Sequence, residues 1–194
     1  MILTTATLTE RLGGFADPAG KILRMTRNGE LFPLTRGLYE TDASVSGELL
    51  APAIYGPSYL SFDYALAYYG LTPEAVFTFT CATFGKKKEK VYENHFGRYS
   101  YRDVPSAVYP FGVRVVESGG YVYQIASPEK ALCDKLRTLE PVHSERELSR
   151  LLFEDLRIDE SEFAKLDAGD LSVLCERYHA TTMTYLKKLI GRKR

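Results

Sequence analysis

The sequence predicts an α+β fold, and three observations carry that prediction. A segment opened by Asp17-Pro18 and closed by Gly29 has helical spacing and runs directly into two short β-prone stretches. From Val76 to Ala126 the apolar period falls to two and is broken repeatedly by turn residues. After Ser127-Pro128 the helical period returns and persists to about Ile190. With 45% hydrophobic and 12% aromatic residues in a chain of 194, there is ample material for a buried core.

Thr4 to Leu12 is expected to form a short helix that Gly13-Gly14 stops, because two glycines lose too much backbone entropy to continue it. A second helix is expected from Asp17 to about Asn28. Asp17 can accept from free N–H groups of the first turn, Pro18 fits the first helical position, and Gly29 suits the left-handed conformation that closes a helix. Its periodicity places Ala19, Ile22, Leu23 and Thr26 inward and Lys21, Arg24, Arg27 and Asn28 outward, so the outer face is basic. Leu31 to Leu34 and Leu38 to Glu40 flank Thr35-Arg36-Gly37, in which Gly37 can take positive φ, and a small hairpin follows the helix. Helix then hairpin is a winged-helix-like layout. Residues 1–43 are therefore expected to form a truncated winged helix-turn-helix-like DNA-binding segment. Residues 47–194 are expected to form an α+β domain beyond the polar Thr41 to Ser46 junction.

In that second part a helix is expected from Gly47 to Tyr55 despite Pro52. Ser61 should cap the next helix, with Asp63 in its first turn and Gly70 as its stop. Leu60, Tyr64, Ala67, Tyr68 and Leu71 would form its buried side. Alternation then sets Phe77, Phe79 and Cys81 against Thr78, Thr80 and Ala82. Similar runs at Lys90 to Glu93, Gly97 to Asp103, Gly112 to Glu117 and Tyr121 to Ala126 complete a mostly antiparallel sheet of about five strands, covered by helices. Those helices are Pro128 to Leu139, Glu145 to Leu156 behind a Ser144–Glu147 capping box, a short one near Ser161, and a long one from Leu171 to Ile190.

Equal counts of 25 basic and 25 acidic residues exclude binding of nucleic acid through bulk charge, so such a contact needs a local patch. Lys86 to Arg102 and the Lys187 to Arg194 tail are basic, whereas Glu140 to Asp170 is acidic. Cys81, Cys133 and Cys175 are widely spaced within apolar runs, which points to reduced core thiols and a cytoplasmic location. No apolar run is long enough for a signal peptide or a membrane span.

Lys21, Arg24, Arg27, Asn28 and Arg36 could engage DNA, since a helix fits the major groove and a wing lies beside the backbone; the alternative is a solvated helix face. Ser127-Pro128-Glu129-Lys130-Ala131-Leu132-Cys133-Asp134 concentrates chemically active side chains after a strand. Capping by Ser127, Pro128 at the first helical position and Glu129 beside the helix N-terminus explain much of it without catalysis. A metal-dependent nuclease would need a lysine where Gln124-Ile125-Ala126 has alanine. There is no phosphate loop, H-E-x-x-H or G-x-S-x-G motif, and His95, His143 and His179 have no ligand spacing. A non-enzymatic protein with no metal or cofactor is expected.

The block Arg24 to Tyr39, Tyr59-Leu60-Ser61, Gly70-Leu71-Thr72-Pro73-Glu74, Thr80, Thr83, Gly97, and Ala126 with Pro128-Glu129-Lys130-Ala131-Leu132 and Asp134 together resemble the AbiEi family. This family comprises the antitoxins and transcriptional regulators of type IV toxin–antitoxin systems. The resemblance implies a winged helix that binds inverted repeats in operator DNA to repress its own operon. It also implies a C-terminal domain that counters a cognate nucleotidyltransferase-like toxin, directly or indirectly. Ser61, Glu74, Thr80, Thr83, Glu129, Lys130 and Asp134 are the motif positions, with a partner-binding or structural role. A DNA-binding regulator without a toxin partner, or a nuclease-like enzyme, are the alternatives.

Overall fold

The computed structural model describes residues 1–192; Lys193 and Arg194 at the end of the basic tail lie outside the described residues. The chain opens with β1 (Ile2–Thr4) and α1 (Thr5–Arg11), where Thr4 Oγ1 caps the helix by accepting from Thr7 N at 3.1 Å. Next come α2 (Pro18–Arg27), β2 (Phe32–Thr35) and β3 (Leu38–Glu40). The unanticipated β1 pairs antiparallel with β3, giving a sheet in the order β1-β3-β2. Three residues are too few to display a period-two pattern, so β1 left no sequence signal.

A 3-10 turn (Gly47–Leu50) leads into α3 (Ala51–Ile54), then β4 (Tyr59–Leu60), α4 (Phe62–Tyr68), β5 (Thr78–Thr83), β6 (Lys90–Asn94), β7 (Gly97–Asp103), β8 (Val113–Ser118) and β9 (Tyr121–Ala126). The expected mostly antiparallel sheet of about five strands is instead a mixed sheet of six, ordered β6-β7-β5-β4-β9-β8. β5 runs parallel to β7 and β4 parallel to β9, while the other neighbours are antiparallel. Both parallel pairings join strands distant in sequence, and β4 has only two residues, so local periodicity could reveal neither.

On β7, Tyr99 and Tyr101 turn inward and are fully buried; their hydroxyls donate to Gly47 O at 3.1 Å and Ala51 O at 2.7 Å, pinning the 3-10 turn and α3 onto the sheet. A Cβ on Gly47 would lie 2.3 Å from the Phe79 ring, which explains glycine there. On α4 the buried residues are Phe62, Ala65 and Leu66, whereas Tyr68 is exposed, a correction to the expected face.

The covering helices are α5 (Pro128–Arg137), α6 (Glu145–Arg150) extended by a π turn (Leu151–Asp155), α7 (Glu160–Phe163), α8 (Ala168–Tyr178) and α9 (Thr181–Arg192). The expected single helix from Leu171 to Ile190 is two helices. His179 takes a left-handed conformation at φ 47° and breaks them, without the glycine or proline that would have marked the break. α5 packs on α4 and α8, and α9 on α8 and α6.

Leu3, Leu8, Ile22 and Leu31 form a small N-terminal core. Leu34 joins the larger core instead. The two sheets also meet where Asn94 Nδ2 donates to Leu34 O at 3.1 Å, where Phe32 packs on His95 and Phe96, and where Tyr121 OH donates to the buried Glu40 carboxylate at 2.8 Å. Burial raises the Glu40 pKa, but bonds from the N-terminal amine, Tyr121, Thr41 N and Asp42 N outweigh it and hold the carboxyl below its usual range. Among the described residues, no helix is long and apolar enough to cross a membrane.

Candidate functional site

The basic helix face begins with its cap: Asp17 Oδ1 accepts from Gly20 N at 2.9 Å, fixing the first turn of α2. Ile22 is buried and Met25 half-buried against Leu3, Leu8 and Leu31, so these residues set the rotation of the helix. At 100° per residue, Arg24 and Arg27 then point away from Ile22, and both are exposed. Leu23, at 52% exposure, also faces out and Ala19 is exposed, so the expected inner face is corrected to Ile22, Met25 and Thr26. Lys21 lies at the flank, its Nζ 5.5 Å from the Phe15 ring centroid. Asn28 closes the helix and donates to Glu30 Oε1 at 3.1 Å. Arg36 is exposed in the hairpin turn beside Gly37, whose φ is 79°. Among the described residues, none of Lys21, Arg24, Arg27 or Arg36 forms an ion pair.

The second set of motif residues converges inside the fold. Asp134 and Lys130, one turn apart on α5, are both 0% exposed, with Lys130 Nζ 3.1 Å from Asp134 Oδ1. Tyr59 OH and Ser61 Oγ donate to Asp134 Oδ2 at 2.9 and 2.7 Å, and Tyr178 OH donates to Asp134 Oδ1. Lys130 Nζ also donates to Tyr178 OH at 2.5 Å. Burial lowers the Lys130 pKa against the opposing pull of Asp134, and burial followed by the Asp134 charge raises both tyrosines far above their ordinary range. Gly112 fits closely here, since a Cβ on it would stand 2.9 Å from Lys130 Cβ.

Ser61 therefore does not cap α4 with its side chain, contrary to expectation, because its hydroxyl is committed to Asp134. Thr80 takes over: its Oγ1 accepts from Tyr64 N at 3.0 Å and donates to Ser61 O at 2.6 Å. Thr83 Oγ1 donates to Asp103 Oδ1 at 2.6 Å, while Asp103 Oδ2 accepts from Lys87 N. Glu129 is buried and accepts from Asp167 N at 3.0 Å, joining α5 to the start of α8. Glu74 is a surface residue paired with Arg157 at 2.5 Å. Ser127 caps α5 by accepting from Lys130 N at 3.2 Å.

The structure thus brings Ser61, Lys130 and Asp134 together, ties Thr80 to Ser61, and leaves Glu74 and Thr83 elsewhere. Tyr59, part of the Tyr59-Leu60-Ser61 block, and Tyr178, for which the sequence gives no local signal, complete the cluster from 75 and 44 residues away from Asp134. These buried groups fasten helices to strands, and Asp134 also borders a surface cavity lined by Arg102, Asp103 and Arg137. A separate cleft of about 160 Å³ is lined by Phe62, Asp63, Lys135, Glu89 and Arg102, with Lys135 paired to Asp63 and Arg102 to Glu89, each at 2.6 Å. Among the described residues, no group of three or more His, Cys, Asp or Glu side chains is placed to hold a metal ion.

No protein-family model matches the chain, and no curated protein sequence matches it. The fold is similar to that in the crystal structure of the RV2827C protein from Mycobacterium tuberculosis, with a TM-score of 0.50 and 14% sequence identity over 100% of this chain and 76% of that one. That likeness concerns the fold alone.

Proposed function

We propose that this chain is a non-enzymatic, DNA-binding antitoxin of the type IV kind, which represses its own operon through the N-terminal module and counters a nucleotidyltransferase-like toxin. The observation that carries the DNA-binding half is the unpaired basic face of α2 beside the β2–β3 hairpin. Element order β1-α1-α2-β2-β3 and sheet order β1-β3-β2 support reading α2 as a recognition helix and the hairpin as its wing. Arg24 and Arg27 would reach base edges or phosphates, Lys21 and Arg36 the backbone on either side, and Asn28 the groove floor. Exposed cations without carboxylate partners give up little on meeting phosphate, because no internal ion pair must first be broken.

The antitoxin half rests on the resemblance to the AbiEi family, at the motif positions Ser61, Glu74, Thr80, Thr83, Glu129, Lys130 and Asp134. Most of these are spent on holding the second sheet to its helices. Their role in countering a toxin would then be to maintain the surface that a partner meets.

Titration of the upstream DNA of the chain's own operon at several salt concentrations tests the regulatory reading. Arg24→Ala or Arg27→Ala should weaken binding by about 1–3 kcal/mol where a base contact is lost, and Lys21→Ala should reduce the salt slope by about one. Equal affinity of the wild type for random DNA would remove the regulatory half. Co-expression of the full chain with the adjacent toxin gene tests the other half, and growth arrest that the chain does not relieve would refute it.

A further inference from the structure

Leu23 stands among the cations of α2, 52% exposed and, of the described residues, a member of neither apolar core. At about 100° per residue it lies about 100° around the helix from the buried Ile22, with Arg27 at about 140° and Arg24 at about 200°. Leu23 and Arg27 are therefore neighbours one turn apart on the same strip. One turn before Leu23 the strip is flat, because Gly20 occupies it. A Cβ there would stand 1.9 Å from Asp17 Oδ2 and 3.3 Å from Arg24 Nη1, so the cap that opens the helix demands glycine at this point. The strip thus presents a bare turn of backbone, then a leucine, then a guanidinium, with a second guanidinium alongside. The major groove of DNA offers a counterpart to each: close approach to the bare turn, the thymine 5-methyl for an apolar side chain, and guanine O6 and N7 for arginine. A lipid surface would instead need a broad apolar stripe, and this one is a single side chain wide between cations.

We propose that Leu23 is a specificity-determining residue, which selects thymine by packing on its 5-methyl group in the major groove beside a G·C pair read by Arg27. This inference rests on α2 being the recognition helix and adds the base that the helix selects. Four residues at about 1.5 Å rise set Leu23 and Arg27 about 6 Å apart along the helix axis, roughly two steps of about 3.4 Å along one DNA strand. The thymine therefore lies within about two base pairs of the G·C pair. Gly20 contributes by its lack of a side chain, since any larger residue there would hold the first turn of α2 away from the groove and lift Leu23 off the base edge.

Deoxyuridine differs from thymidine only by the missing methyl, so duplexes of the operon's upstream DNA carrying deoxyuridine at one thymine at a time isolate this contact. With the full chain, one such substitution in each half-site should weaken binding by about threefold to tenfold, the loss expected for one buried methyl group. Leu23→Ala should lose a similar factor on unmodified DNA and be indifferent to deoxyuridine at that position, whereas Leu23→Met, which keeps an apolar side chain of similar reach, should retain the thymine effect. Arg27→Ala should relax preference at a G·C pair within about two base pairs of the same thymine. Leu23 is exposed, so circular dichroism and the unfolding midpoint of Leu23→Ala should match the wild type, which separates lost recognition from lost folding. A wild type that prefers the upstream DNA to random duplex yet ignores every single deoxyuridine would overturn this inference and leave the recognition-helix reading standing. The same holds for a Leu23→Ala chain that keeps the wild-type sensitivity. A wild type without preference for the upstream DNA would overturn both.

Discussion

Replacing Asp134 tests the claim that the Ser127 to Asp134 motif is a fastening rather than a reactive site. The carboxylate is fully buried and accepts from Lys130 Nζ, Tyr178 OH, Tyr59 OH and Ser61 Oγ. Asp134→Ala strands the Lys130 ammonium without its counter-charge, which costs about 3–5 kcal/mol for a buried pair broken on one side. Tyr59 and Ser61 also lose their acceptor, adding about 1 kcal/mol each, while Tyr178 keeps its contact with Lys130. The total of about 5–7 kcal/mol is a large part of the roughly 5–15 kcal/mol that holds a typical domain folded. Asp134→Asn, which keeps an acceptor oxygen, should lose mainly the first part. Urea unfolding measures both variants, and the double variant Lys130→Met/Asp134→Asn supplies the control. Removing both charges should recover most of the charge penalty, since a neutral pair leaves no isolated ion in the core. Asp134→Asn unfolding within about 1 kcal/mol of the wild type, or a double variant no more stable than Asp134→Asn, would refute the reasoning.

Thr80→Val should destabilise the chain by about 1 kcal/mol, as the loss of a helix cap does, because Tyr64 N loses its acceptor; Thr80→Ser should restore it, and thermal unfolding of the pair decides. Alkaline pH should destabilise the fold above about pH 10. Burial raises Tyr59, Tyr99, Tyr101 and Tyr178 above the ordinary 10.0, so the unfolded chain sheds these protons while the folded chain retains them, and stability falls as pH rises. Lys130 acts in the opposite sense, because its lowered pKa makes the folded chain lose a proton before the unfolded one, raising stability up to about 10.5. The tyrosines outnumber it, so tyrosinate absorbance should rise together with loss of far-ultraviolet circular dichroism, and ionisation of these tyrosines in a chain that stays folded would contradict the burial.

Where a local signal decides the structure, the sequence could be read. Asp17-Pro18 and Ser127-Pro128 open helices at the expected residues because capping involves only the next few amides. The run from Gly97 to Asp103 is a strand as expected, with Tyr99 and Tyr101 on its buried face and Arg98 and Arg102 on the other. β4 escaped notice because its two residues are strand only by virtue of β5 and β9 on either side. The rotation of α2 likewise depends on residues outside the helix. Leu23 and Met25 are comparable in apolarity, and the contacts of Leu3, Leu8 and Leu31 with the helix determine which one turns inward.

The candidate site shows a different limit. A run containing Glu, Lys, Cys and Asp at the end of a strand meets the residue-type requirement for catalysis, and capping by Ser127, Pro128 and Glu129 accounts for only part of it. In the fold Lys130, Cys133 and Asp134 are each buried. Tyr59 and Tyr178 arrive from β4 and from α8 to bond Asp134, so the surroundings of the motif depend on residues far from it in the chain. The converse holds for Arg24, Arg27 and Arg36. Their charge is visible in the sequence, but whether a charge is available to a partner depends on whether a carboxylate already holds it. The fold answers that by bonding Asp17 Oδ1 to the first turn of α2 and Glu40 to Tyr121 and its own neighbours, and neither carboxylate forms an ion pair with Arg24, Arg27 or Arg36.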